Sequence, residues 1–88
     1  METLIYNIIA SKEYPTRIYE SDCQENYVHN RDEVSFFGGK LVVSPICVNE
    51  YGSRFDTQGD IVEIDISTHP RLEEIQKYFN TYGYLDIE

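Results

Sequence analysis

Basic residues are scarce in this 88-residue chain: seven Lys and Arg face sixteen Asp and Glu, for a net charge of -9 and a pI near 4.5. Direct nucleic-acid binding is disfavoured, because phosphate contacts need a basic patch. Docking on an anionic membrane surface is disfavoured for the same reason. Cysteine is scarce too. Cys23 and Cys47 are too few for a disulfide framework. The N-terminus, Met1-Glu2-Thr3-Leu4, has neither a basic region nor a long apolar core, so it does not read as a signal peptide. No stretch approaches the roughly 18 apolar residues of a membrane span. Together these absences predict a cytoplasmic protein with reduced thiols. No internal repeat, low-complexity segment or linker divides the chain, and its length fits one domain over residues 1–88.

Tryptophan is absent, yet aromatics are plentiful, with eight Tyr and four Phe in a sequence that is 41% hydrophobic. That is enough for a packed core, which excludes wholesale disorder. A domain of this size buries only a modest share of its surface, so a full core and a deep substrate pocket compete for the same residues.

The pattern predicts an α+β fold, a small antiparallel sheet of about four to six strands with one C-terminal helix on one face. Leu4–Ala10 is rich in β-branched and aromatic residues and reads as a strand, broken by 11–15. Short strands are expected at 16–20 and 26–29. Two apolar runs flank Gly38-Gly39, and both glycines tolerate the positive φ of a type I′ turn, so a β-hairpin is expected there. Pro45 cannot donate to a ladder and marks an edge, a bulge or a strand end; the strand then resumes over Ile46–Tyr51, and 52–59 reads as a loop. In Ile61–Ile66, Val62, Ile64 and Ile66 face one way while Glu63 and Asp65 face the other. A helix over about 69–82 follows, capped by Ser67 or Thr68, with Pro70 in its first turn and Gly83 as its stop. Leu72, Ile75, Phe79 and Tyr82 form its buried stripe. Tyr84–Ile87 alternates again and suggests a last short strand.

The catalytic signals are weak. Cys23, His29, Cys47 and His69 are zinc-ligand types, but no close Cys-x-x-Cys pair brings them together. A Cys–His nucleophile needs an electropositive setting that no flanking motif supplies, and Cys47, between Ile46 and Val48, reads as a small packed core residue. The carboxylate pairs Asp32-Glu33, Glu63 with Asp65, and Glu73-Glu74 look exposed on both members, whereas acid–base work needs two environments in one pocket. Gly38-Gly39 lacks the spacing of a phosphate loop. The expectation is a non-enzyme with no metal and no cofactor.

What remains is an acidic surface interleaved with tyrosine. Glu63 and Asp65 lie on one strand face, roughly 6.6 Å apart along the strand, a separation on the scale of successive phosphates of one DNA strand. Glu50, Asp56 and Asp60 precede that strand and extend the row, Asp32 and Glu33 are second-rank candidates, and Tyr51 is a candidate anchor because tyrosine is enriched at interfaces. The bland alternative is that these acids merely keep the protein soluble.

In size, acidity, tyrosine content and sheet-plus-helix pattern the chain resembles the small acidic inhibitors encoded by bacteriophages. These are DNA-mimic proteins that block uracil-DNA glycosylase, restriction enzymes, CRISPR effectors or the nucleoid-associated protein HU. The resemblance is one of character over the whole chain, with no shared residue motif, so no functional residue is carried over. It implies a basic DNA-binding protein as partner, an HU-type protein foremost, in a host bacterial cytoplasm. Because HU-type proteins are dimeric, a homodimeric mimic would match the target's symmetry. The competing reading is an interaction module (antitoxin, adaptor or assembly subunit) that binds through apolar and tyrosine surface.

Overall fold

The computed structural model describes residues 1–12, 27–54 and 61–87. The elements run α1 (Glu2–Ser11), β1 (Tyr27–Phe37), β2 (Lys40–Asn49), β3 (Val62–Asp65), α2 (Leu72–Tyr82) and β4 (Leu85–Ile87). The strands form an antiparallel sheet in the order β3-β2-β1-β4, so the architecture is the expected α+β one. The strand expected at 16–20 lies outside the described residues.

The hairpin forms where the two glycines predict it. Gly38 and Gly39 take φ of 59° and 78°, and Phe37 pairs with Lys40 across them. The strand expected at 26–29 is the start of the long β1. Pro45 lies inside β2, opposite Asp32, just past Val43, where the pairing with β3 ends. A residue without an N–H is tolerated there because no β3 partner awaits it.

Residues 4–10 are helical, which corrects the strand expected there. Ile5, Ile8 and Ile9 are the buried side chains of α1. Their three- and four-residue spacing puts them on one helical face, whereas strand alternation would bury every second residue. Burial of that face outweighs the modest helix penalty of isoleucine.

Helix α2 begins later than expected, at Leu72, and neither Ser67 nor Thr68 caps it. Ser67 is engaged with Asp65. His69 Nδ1 instead accepts the Arg71 backbone N–H at 3.0 Å, next to the first turn. Pro70 stands before the helix. Gly83 does end it, with its N–H on the Phe79 carbonyl at 2.8 Å. Ile75 and Phe79 are buried, but Tyr82, expected in the stripe, is 65% exposed. It lies beyond the last core-facing turn and rests its ring on Tyr78, 4.8 Å between centroids.

Both helices cover one side of the sheet. The core joins Ile5, Ile8 and Ile9 of α1 and Ile75 and Phe79 of α2 to Val34, Leu41, Val43, Ile64 and Ile66, with Phe36, Val62, Leu85 and Ile87 packed against it. Phe36 stacks on Phe79 at 6.1 Å. Cys47 is fully buried, as its apolar flanks suggest. It is also disulfide-bonded, which departs from the expected reduced thiol; Cys23 lies outside the described residues. No described helix is long and apolar enough to cross a membrane.

Candidate functional site

Register decides which side chains share the sheet face opposite the helices. Residues alternate across a strand, so Glu33, Ser35 and Phe37 of β1, Lys40, Val42 and Ser44 of β2, Glu63 and Asp65 of β3, and Asp86 of β4 lie on that face. Val62, Ile64 and Ile66 point into the core and Glu63 and Asp65 out, as the sequence alternation predicts. Asp32 falls on the helix side, in register with Pro45 and Ile87. The adjacent acids Asp32 and Glu33 therefore do not act on one surface.

Three places on this surface differ in chemistry. At the hairpin end, Lys40 sits opposite Asp65 and reaches diagonally to Glu63, Nζ to Oε2 3.4 Å. Both side chains are about half exposed, so the pair contributes little, on the order of 0–1 kcal/mol. Asp65 has local work: its Oδ1 accepts the Ser67 backbone N–H at 2.9 Å and the Ser67 hydroxyl at 2.7 Å, which closes the turn after β3. The Ser67 N–H, then its hydroxyl, and more weakly Lys40 and Lys12, lower the Asp65 pKa. A lowered folded pKa contributes stability above the unfolded value near 3.9 that fades as pH falls through the folded one. A carboxyl NMR titration should therefore find Asp65 ionising below ordinary aspartate, and Ser67→Gly, which removes the hydroxyl but keeps the backbone N–H, should raise it only part of the way.

Midway along the face, Arg54 gathers two carboxylates. Its Nη1 and Nη2 donate to Asp86 Oδ2 and Oδ1 at 2.7 and 2.6 Å, a bidentate pair. Nη2 and Nε donate to Glu33 Oε2 at 2.6 and 3.3 Å. The guanidinium lies 4.2 Å from the centroid of the Tyr84 ring, a cation–π distance. Hydrogen bonding to Asp86 first, then Glu33, raises the Arg54 pKa against an opposing desolvation. Arg54 lies in a stretch that reads as a loop, and no local signal marks it, because its partners are 21 and 32 residues away.

At the far end of β2, Asn49 shapes a tight turn. Its Oδ1 accepts the N–H groups of Tyr51 and Ser53, both at 2.9 Å, and its carbonyl accepts Gly52 N–H at 3.0 Å. This side-chain-closed turn holds Tyr51 outward, 84% exposed, beside exposed Glu50. Nine residue steps of strand separate Lys40, opposite Asp65, from Asn49, or about 30 Å. Glu50 and Tyr51 thus lie apart from Glu63 and Asp65. Asp56 and Asp60 lie outside the described residues.

The charge is unevenly distributed. The described residues hold nine acids against six bases, a balance of -3, while positions 13–26, 55–60 and 88 hold seven acids against one base, a balance of -6. Among the described residues no group of three or more His, Cys, Asp or Glu could hold a metal ion. Two clefts lined by described residues are shallow. One of 380 Å³ runs between Phe36 and Gly39 at the hairpin end and Leu72, Glu73, Gln76 and Lys77 of α2. Another, of 220 Å³, lies among Ile8, Lys12, Asp65 and His69. Compared with protein-family models, curated proteins and solved structures, the chain has no match.

Proposed function

We propose that this chain is a non-catalytic binding protein for a protein partner, which it meets with the sheet face and turns on the side away from the helices. The observation that carries the reading is what this surface presents. It combines an acidic outer strand (Glu63, Asp65) with large aromatics held in solvent, Phe37 at 81% and Tyr51 at 84% exposure. Acids on a rim raise association rates with a basic partner. Rigidly held aromatics supply area at small entropic loss.

In its narrow form the reading is a DNA mimic directed at a basic, HU-type nucleic-acid-binding protein. The net charge of -9 and the Glu63–Asp65 spacing support it. Lys40 and Arg54 count against a continuous phosphate-like row on the described face, since they neutralise Glu63, Glu33 and Asp86. The form the geometry supports best is therefore the broader one: an acidic edge that steers and an aromatic anchor that holds.

Competition separates the two. A fluorescent DNA duplex bound to a purified HU-type protein is titrated with this chain at low and high salt. A DNA mimic displaces the duplex at low salt and loses hold as salt rises. Glu63→Lys combined with Asp65→Asn, which keeps the Oδ1 acceptor for Ser67, weakens that displacement about tenfold. No displacement at any salt removes the narrow form. An anchored interface with any partner loses about 2 kcal/mol or more on Tyr51→Ala, with little salt dependence. A partner indifferent to both sets of changes would place the contact elsewhere and overturn the proposal.

A further inference from the structure

We propose that β4 is a releasable strap over the edge of β1, and that Arg54 is the clasp that holds it closed.

Strap and hairpin differ in how they are held. β1 and β2 pair at ten positions, whereas β4 pairs with β1 at three, Asp32 to Val34. The side chains of β4 sit at the border of the core: Leu85 and Ile87 are half-buried, and Asp86 and the preceding Tyr84 are exposed. Beneath the strap a 280 Å³ cleft separates Leu85, Asp86 and Ile87 from Glu2, Thr3 and Tyr6 of α1. Few buried contacts and a short ladder mark segments that open locally before the whole domain does. The hinge is at hand in Gly83, with φ of 80° at the end of α2. Helix α2 stays anchored through Ile75 and Phe79 whether or not β4 is docked.

The charge arrangement makes opening a two-state matter. Glu33 and Asp86 are direct cross-strand partners, and like charges placed so are destabilising. Arg54, which comes from a third segment, bonds both carboxylates and stacks on Tyr84. With the guanidinium in place the pair attracts through a shared cation; once it leaves, two adjacent carboxylates push the strap away. Release bares the β1 edge over Asp32–Val34. Among the described residues β1 has no other ladder neighbour on that side, so the bared edge is a template for strand addition.

Amide hydrogen exchange followed by NMR tests this. In the wild-type protein the Leu85–Ile87 amides should exchange at least tenfold faster than those of the β1–β2 ladder. Arg54→Gln should speed them about tenfold more while the hairpin amides hold. Adding Glu33→Gln to that variant should slow β4 again, because it removes the like-charge pair; a merely structural arginine would show no such rescue. Lys40→Gln, which breaks the other ion pair on this face, should leave β4 unchanged. If β4 exchanges in step with the hairpin, or if Arg54→Gln leaves it unmoved, the strap is wrong. Should Arg54→Gln fail to fold, Arg54→Lys, which keeps one positive charge but loses the fork that bonds both carboxylates, should still speed β4 exchange, and unaltered exchange there overturns the proposal equally.

Discussion

Ile5→Ala lowers the unfolding free energy by about 2–5 kcal/mol, while Asn7→Ala, two residues on, changes it by less than about 0.5 kcal/mol. Ile5 is 0% exposed and sits in the central cluster, whereas Asn7 faces solvent. Truncating Ile5 removes three carbons from a packed site and leaves a void that its neighbours fill only in part. For a small domain, with a total of about 5–15 kcal/mol to lose, that is a large fraction. The pair also discriminates between the two backbones. A strand over 4–10 that buries Ile5 also buries Asn7 and Ile9, so Asn7→Ala would register. In a helix, Ile5, Ile8 and Ile9 respond and Asn7 does not. Urea denaturation of the three Ile→Ala variants and Asn7→Ala reads this directly, and a strong response at Asn7 with none at Ile8 would restore the strand.

The sequence of that helix resembles a strand for a physical reason. Leu-Ile-Tyr-Asn-Ile-Ile is β-prone by residue type, and propensity is a weak prior that burial overrides. The apolar spacing at 5, 8 and 9 was the better signal. Elsewhere local chemistry sufficed: Gly38-Gly39 dictates a hairpin, the alternation in 62–66 sorts core from surface, and Gly83 stops α2. The stripe of α2 was legible at Ile75 and Phe79 but overran at Tyr82, since periodicity shows a face and not where the neighbouring sheet ends. The surface was less legible. Sequence shows Glu63 and Asp65 side by side, yet not that Lys40 is folded against one and that Ser67 engages the other. The Arg54 clasp joins three segments distant along the chain, so only the fold reveals it.

The hairpin tip carries the second large effect. Gly39→Val should destabilise by about 2–5 kcal/mol, and Gly38→Asn by less than about 1 kcal/mol. Both glycines have positive φ, but they differ in what a side chain would meet. At Gly38 nothing lies within 4 Å of an added Cβ, whereas at Gly39 that carbon would stand 3.1 Å from the Ser67 Cβ. Asparagine tolerates left-handed φ, so Gly38→Asn loses little. Valine at 39 suffers twice. A β-branched residue in that region costs about 1–2 kcal/mol, and overpacking against Ser67 adds about 1–3 kcal/mol. The neighbour has little room to give, because Ile66 N–H bonds the Gly39 carbonyl at 2.9 Å and Ser67 is tied to Asp65. The strain therefore passes into the turn between β3 and α2, on which the placement of Asp65 depends. Gly39→Ala separates the two causes. It carries the φ penalty and the 3.1 Å contact without the branched methyls, and a double-mutant cycle with Ser67→Gly isolates the contact share. Equal shifts of the urea midpoint on Ser67→Gly in the wild-type and the Gly39→Ala backgrounds would show that backbone conformation, and not the approach of the hairpin to the β3–α2 turn, fixes glycine at this position.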